Sequence, residues 1–256
     1  MKKILFIVLP LLLFSCKDVK DKINEIPDPF NGSDKIVDID TLVHNQKPLK
    51  TDTLNFEKLK AKNVFDKVLA LTLKRDYSKD SIEITFCRLD FYLKNKIVQS
   101  FPVMVYTSSE VGDWSLYEDL FPDEKRKEAD NRFFEITYGV PACGYAQCNF
   151  LFFTENNKLQ LISRYVSGVD GPYGEWLNFD PVFVGNKIVS LSSKKVTIDT
   201  DESKPYNEEN EDLIRTFSDS IVYKYNGKKW SGKRKTPKGK IFRTEHKTLN
   251  QLYPQE

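Results

Sequence analysis

The chain has 256 residues, with 39 Lys and Arg against 37 Asp and Glu, for a formal net charge of +2. That near-balance gives no global electrostatic reason to bind nucleic acid. With 40% hydrophobic and 30% charged residues, the composition is that of a globular body and excludes a low-complexity or collagen-like chain.

Lys2 and Lys3 precede an apolar run over residues 4–14 that only Pro10 interrupts. As a helix the run covers about 16 Å, too short for a bilayer core about 30 Å thick. Charge, a short apolar middle and then the small Ser15 make a secretory pattern. The residues that follow sharpen it. Leu13-Phe14-Ser15-Cys16 resembles the lipobox of bacterial prolipoproteins, with the bulky Phe14 as a departure from the usual residue. The resemblance covers about sixteen residues and implies nothing for the remaining chain. It implies cleavage before Cys16, a diacylglyceryl group on the Cys16 thiol and acylation of the new amine. The acyl chains would make a membrane the first partner, because two or more hold a protein stably on a bilayer. Lys17, where an aspartate marks retention at the inner membrane in that family, implies the outer membrane, with surface exposure as a further expectation. No later apolar run approaches the length of a spanning helix.

Residues 16–50 are polar and charge-mixed, and "IPDPFNGSD" adds two prolines and a glycine. They read as a lipid-anchored flexible tether with one short strand near residues 36–43 and a reach of roughly 30 Å. The expected organisation is therefore a signal peptide over 1–15, the tether over 16–50 and a single β-rich domain over 51–256, its ordered part starting near Leu54.

A weak helical start at "FEKLKAKNVFDKV" gives way to "LALTLKR", where Leu69, Leu71 and Leu73 alternate with Ala70, Thr72 and Lys74 as in a strand. In "SIEITFCRLDFYL" the apolar set changes face near Phe86 and Cys87, which predicts a bulge or a strand buried on both sides. "KNK" turns it into "IVQSFPVMVY". Residues 121–131 are polar all round and read as a short surface helix or loop. "RFFEITY", "NFLFFTE" and "KLQLISRYV" are strands, the last two flanking a turn at Asn156-Asn157. "KIVSLSS" and "KVTIDT" are expected to flank another turn, and Asn226-Gly227 in "VYKYNGKKW" is a strong hairpin signal. The reading is mainly β, with antiparallel sheets or meanders arranged as a sandwich or a propeller and little helix.

A shift of the sequence by 62 residues adds a possible internal symmetry. It lays Phe91 on Phe153, Asn95-Lys96 on Asn157-Lys158, Gly112 on Gly174 and Trp114 on Trp176. Two similar β halves would account for the echo, and chance would too.

Chemistry is narrowed mostly by exclusion. In "CGYAQC", Cys143 and Cys148 are placed to close a small disulfide loop, which an oxidising compartment favours; Cys87 reads as a buried thiol. A Cys–His nucleophile or a zinc site using these cysteines and His246 lacks supporting spacing. No phosphate loop or nucleophile elbow is present, and no cofactor or metal is expected. The acid-rich residues 199–212 read as a solvated loop, with presentation to a basic target as the sharper alternative. "SGVDGPYGEW", residues 167–176, reads as a shaped loop of the kind that carries binding. There Tyr173 and Trp176 would stack on a ligand while Asp170 and Glu175 accept hydrogen bonds; alternatively Trp176 plugs the core. Residues 224–247 are basic with interleaved Tyr225, Trp230 and Phe242, a face for an anionic partner or simply a solvated one. The functional expectation is an envelope lipoprotein that binds a protein or glycan. An inhibitor or immunity-type protein and a hydrolase with unlocated carboxylates stand as alternatives.

Overall fold

The computed structural model describes residues 47–56, 65–77, 83–107, 112–118, 120–121, 132–140, 145–156, 158–204 and 212–252. The expected signal peptide, Cys16, most of the expected tether, the strand expected near 36–43, the core of the expected helical segments, Cys143 and the centre of the acidic stretch lie outside those residues. Among the described residues the chain is strands joined by turns, with a single short helix α1 (Leu249–Leu252).

The first four strands are β1 (Lys50–Asn55), β2 (Lys67–Tyr77), β3 (Glu83–Leu93) and β4 (Lys96–Thr107), which form an antiparallel meander in chain order. The next four are β5 (Asp113–Tyr117), β6 (Phe133–Val140), β7 (Tyr145–Glu155) and β8 (Lys158–Asp170). They continue through β9 (Tyr173–Val184), β10 (Lys187–Thr200), β11 (Asp212–Tyr225) and β12 (Trp230–Arg234) as one antiparallel sheet, with β13 (Arg243–Thr248) added alongside β11. The fold is mainly β and antiparallel. The sheet reaches back before Leu54, since the Leu49 N–H already donates to Thr72 O at 2.7 Å.

Two hydrophobic cores lie on opposite faces of β6 and β7. Side chains alternate along a strand, so Phe134 and Ile136 of β6 and Phe150 and Phe152 of β7 enter the first core. There they meet Val68 and Ala70 of β2 and Leu89 and Phe91 of β3, as in a sandwich. Phe133, Leu151 and Phe153 point the other way into a second core with Ile188, Leu191, Tyr223 and Trp230. "NFLFF" is thus an unbroken apolar run because both faces of its strand are covered.

Around the second core the larger sheet curls until β12 returns to β8. The Gln160 amide closes that seam by imitating a strand: its Nε2 donates to Trp230 O at 2.8 Å, and the Trp230 N–H donates to its Oε1 at 2.8 Å. Glu155 braces the same region through Arg132 at 2.5 Å and a bond from the Tyr225 hydroxyl.

Several local expectations change. The Leu69, Leu71 and Leu73 stripe does not face the main core; it forms a small cluster of its own on the outer face of β2, while Val68 and Ala70 point inward. β3 itself does not change face near Phe86 and Cys87, since Thr85, Cys87, Leu89 and Phe91 stay buried on one side; the expected bulge is on the neighbouring strand, where Leu73 is the extra residue between the pairs Thr72–Cys87 and Lys74–Phe86. "KIVSLSS" and "KVTIDT" form one strand, β10, and the break between them is a bulge between Ser193 and Lys195. Such a bulge switches the buried set from Leu191 and Ser193 to Val196 and Ile198 without a turn.

The expected disulfide is not found: Cys148 is a free, buried thiol. β7 already begins at Tyr145, so strand alternation carries Cys148 into the first core with Phe150, where the Tyr106 N–H donates to its Sγ at 3.5 Å. Cys87 is also buried and free, as the sequence predicts.

The 62-residue shift coincides with the strand pattern. It carries β3 onto β7 end to end, β4 onto β8 within one residue, and residues 51–55 of β1 onto β5. Lys94 and Asn156, equivalent under the shift, share positive φ values of 50° and 52° at their turns.

The double burial sets a stability test. Phe152 is fully buried, and Phe152→Ala is expected to lower the unfolding free energy by about 3–5 kcal/mol. Phe242, 46% exposed, should cost at most about 0.5 kcal/mol when changed to alanine. Urea unfolding of the two variants checks the contrast, and similar costs would contradict the layout.

Candidate functional site

β8 and β9 pair at only three positions beside their turn: Gly168 with Glu175, Val169 with Gly174, and Asp170 with Tyr173. Gly174 suits that crossing, because a Cβ there would stand 2.6 Å from Gly168 O. Beyond it β8 stays with β7 and β9 stays with β10, so the two strands part. The gap is a cleft of about 240 Å³. β9 lines it with Leu177, Asn178 and Phe179, and β8 with Tyr165; β7 and β6 supply Leu151 and Glu135. Leu120 and Phe121, from the segment ahead of β6, complete the wall.

The chemistry sits at the junction of Glu135 and Tyr165. The Tyr165 hydroxyl donates to Glu135 Oε1 at 2.6 Å. Burial raises the Glu135 carboxyl above its ordinary value, and the tyrosine bond opposes that rise only in part. The Tyr165 hydroxyl is itself pushed far up by burial and by the neighbouring carboxylate, so it remains a donor. Aromatic rings surround the pair: Tyr165 and Phe179 meet edge to face at 5.8 Å, and Phe121 lies 6.4 Å from Phe179. On the same face of β6 and β7, Thr137 and Asn149 are buried, with Asn149 Nδ2 donating to Ser167 Oγ at 2.9 Å and to Gln147 O at 3.2 Å. The cleft thus joins apolar side chains to the polar groups of Glu135, Tyr165 and Asn178.

The segment 167–176 is not a loop. It is the end of β8, a tight turn at Gly171 and Pro172, and the start of β9, with Gly171 at φ 59°. Asp170 and Tyr173 are half-buried partners across that turn. Glu175 is held by Lys195 Nζ at 2.7 Å. Trp176 is half-buried opposite Val196, and alternation sends it away from the side that Leu177 and Phe179 share. Its counterpart Trp114 does enter the first core, 5.0 Å from the Tyr138 ring. Trp230 is 3% exposed and packs against Phe133 and Phe153, so it is core and not a binding platform.

Of the acidic stretch, Asp201 is buried. It accepts from the Ser203 hydroxyl at 2.5 Å and lies 2.8 Å from His246 Nδ1. These bonds, the Ser203 one first, hold its carboxyl below the usual carboxylate value. The basic run folds back along β11. Arg234 pairs with Asp219 at 2.7 Å, and Arg215 and Arg243 flank both Glu245 and the Phe217 ring. Among the described residues, neither feature lines the cleft. Glu135 and Tyr165 were not singled out from sequence. The available signal was an acid inside "RFFEITY", where apolar residues on both parities leave no solvent-facing side for Glu135.

No protein-family model matches the chain, and no curated protein or solved structure is significantly similar to it.

Two measurements follow from this chemistry. Glu135 has a raised carboxyl value in the folded state, so its stabilising share is fully present below the ordinary value of 4.5. That share is lost as pH rises towards the raised value. Glu135→Gln should remove this decline, and Tyr165→Phe should deepen it at pH 7 by about 1–3 kcal/mol, both read by urea unfolding from pH 4 to 8. Burial lifts Cys87 to about 12 and Cys148 to about 11. Both thiols should resist maleimide in the folded protein and react after denaturation, which peptide mass spectrometry would show.

Proposed function

We propose that the chain is a lipid-anchored protein of the bacterial cell envelope that binds a group of a partner protein or glycan in the Glu135 cleft. The observation that carries the binding reading is the cleft itself. It is a concave site in which apolar side chains of Leu120, Phe121, Leu151, Leu177 and Phe179 stand beside the polar Glu135–Tyr165 pair and Asn178, and ligand sites combine such walls with a few polar groups. The lipobox-like Leu13-Phe14-Ser15-Cys16 supports the anchor, and Lys17 supports the outer membrane.

The hydrolase alternative has less behind it. Glycoside hydrolysis works with two carboxyl groups set across the scissile bond. Among the described residues lining the cleft, Glu135 is the one carboxylic acid. The inhibitor alternative rested on an acidic stretch whose Asp201 already satisfies Ser203 and His246.

Two experiments test the proposal. Metabolic labelling with an alkynyl fatty acid should mark the chain in the membrane fraction, and Cys16→Ser should abolish the label; an unlabelled chain recovered from cytosol would remove the anchor. A fragment screen followed by NMR should move resonances of Leu151, Tyr165, Leu177 and Phe179 together. Shifts scattered elsewhere, or turnover of a polysaccharide or ester by the purified protein, would overturn the binding reading.

A further inference from the structure

We infer that the group received by the cleft is a protonated amine on an apolar stem, such as a lysine side chain presents. The inference rests on the reading of the cleft as a binding site and names its ligand class. Glu135 is a half-buried acid whose hydrogen bond from Tyr165 occupies Oε1, and Oε2 faces a ligand. No cationic side chain lines the cleft among the described residues. A carboxylate partly removed from water, with no countercharge beside it among the described residues, gains most from a ligand that brings one.

The walls fit the remainder of such a ligand. The rings of Phe121, Tyr165 and Phe179 line the cleft, and aromatic rings attract an ammonium. Leu151 and Leu177 offer the apolar surface that a methylene stem covers. At about 240 Å³ the cleft exceeds the roughly 150 Å³ that holds benzene, so it admits one long side chain. It does not admit a folded oligosaccharide, which would need more polar partners than Asn178 adds. An anionic group would face Glu135 with like charge.

The experiment uses the full lipidated chain in detergent micelles, carrying methyl-labelled leucine, titrated with three probes. N-acetyl-lysine methylamide and its ε-trimethyl form keep the charge, and N-acetyl-norleucine methylamide removes it. Both charged probes should shift Leu151 and Leu177, with norleucine weaker by about tenfold or more. Glu135→Gln, which keeps an acceptor for Tyr165, should weaken the lysine probe by about tenfold and leave norleucine unchanged. Affinity for the lysine probe should rise with pH as Glu135 ionises. Leu177→Trp should abolish all three by filling the cleft. Equal binding of norleucine, or unchanged lysine binding in Glu135→Gln, overturns the amine assignment while the cleft remains a binding site. Silence from all three probes overturns both.

Discussion

The rest of the structure depends on β6 and β7 being buried on both faces. Phe133 and Phe134 are neighbours in sequence and stand in different cores, and so do Phe152 and Phe153. A strand pair used twice in this way fixes its own register rigidly, because a slip of one residue would exchange the contents of the two cores. The four-stranded sheet and the curled β8–β12 region are thereby referred to one shared wall. Ring contacts run through that wall on both sides, with Phe134 stacked on Phe152 at 5.4 Å and Phe133 against Phe153 at 5.0 Å.

Along that wall the second core gives way to the cleft. Phe133 belongs to the core and Glu135, two residues further on the same face, belongs to the cleft. The change in chemistry follows the change in covering. Around Phe133 the sheet is closed by β12, and around Glu135 the parting of β8 from β9 leaves room. The site is thus a property of where two strands stop pairing, and its acid is held by strands on a rigid sheet.

Legibility from the sequence followed locality. Strands and the Asn226-Gly227 turn were readable because each is encoded in adjacent residues. The 62-residue echo, built on a few identities, coincided with matching strand limits in β3 and β7. What failed needed long-range knowledge. Trp230 looked like part of a basic surface, yet β8 and β12 meeting through Gln160 bury it. Cys148 looked like half of a loop disulfide, yet β7 had already begun. Glu135 carried one local signal, an acid inside an apolar strand, but the cleft around it comes from β8 and β9, which lie further along the chain.

The Gln160 amide gives the molecule a late-closing seam. It joins residues 70 apart in sequence, and contacts of that separation incur their loop entropy before returning any energy. The meanders, whose partners are adjacent in the chain, have no such delay. Between the two events the folding chain presents unsatisfied edges at β8 and β12, a window in which self-association competes with completion of the fold.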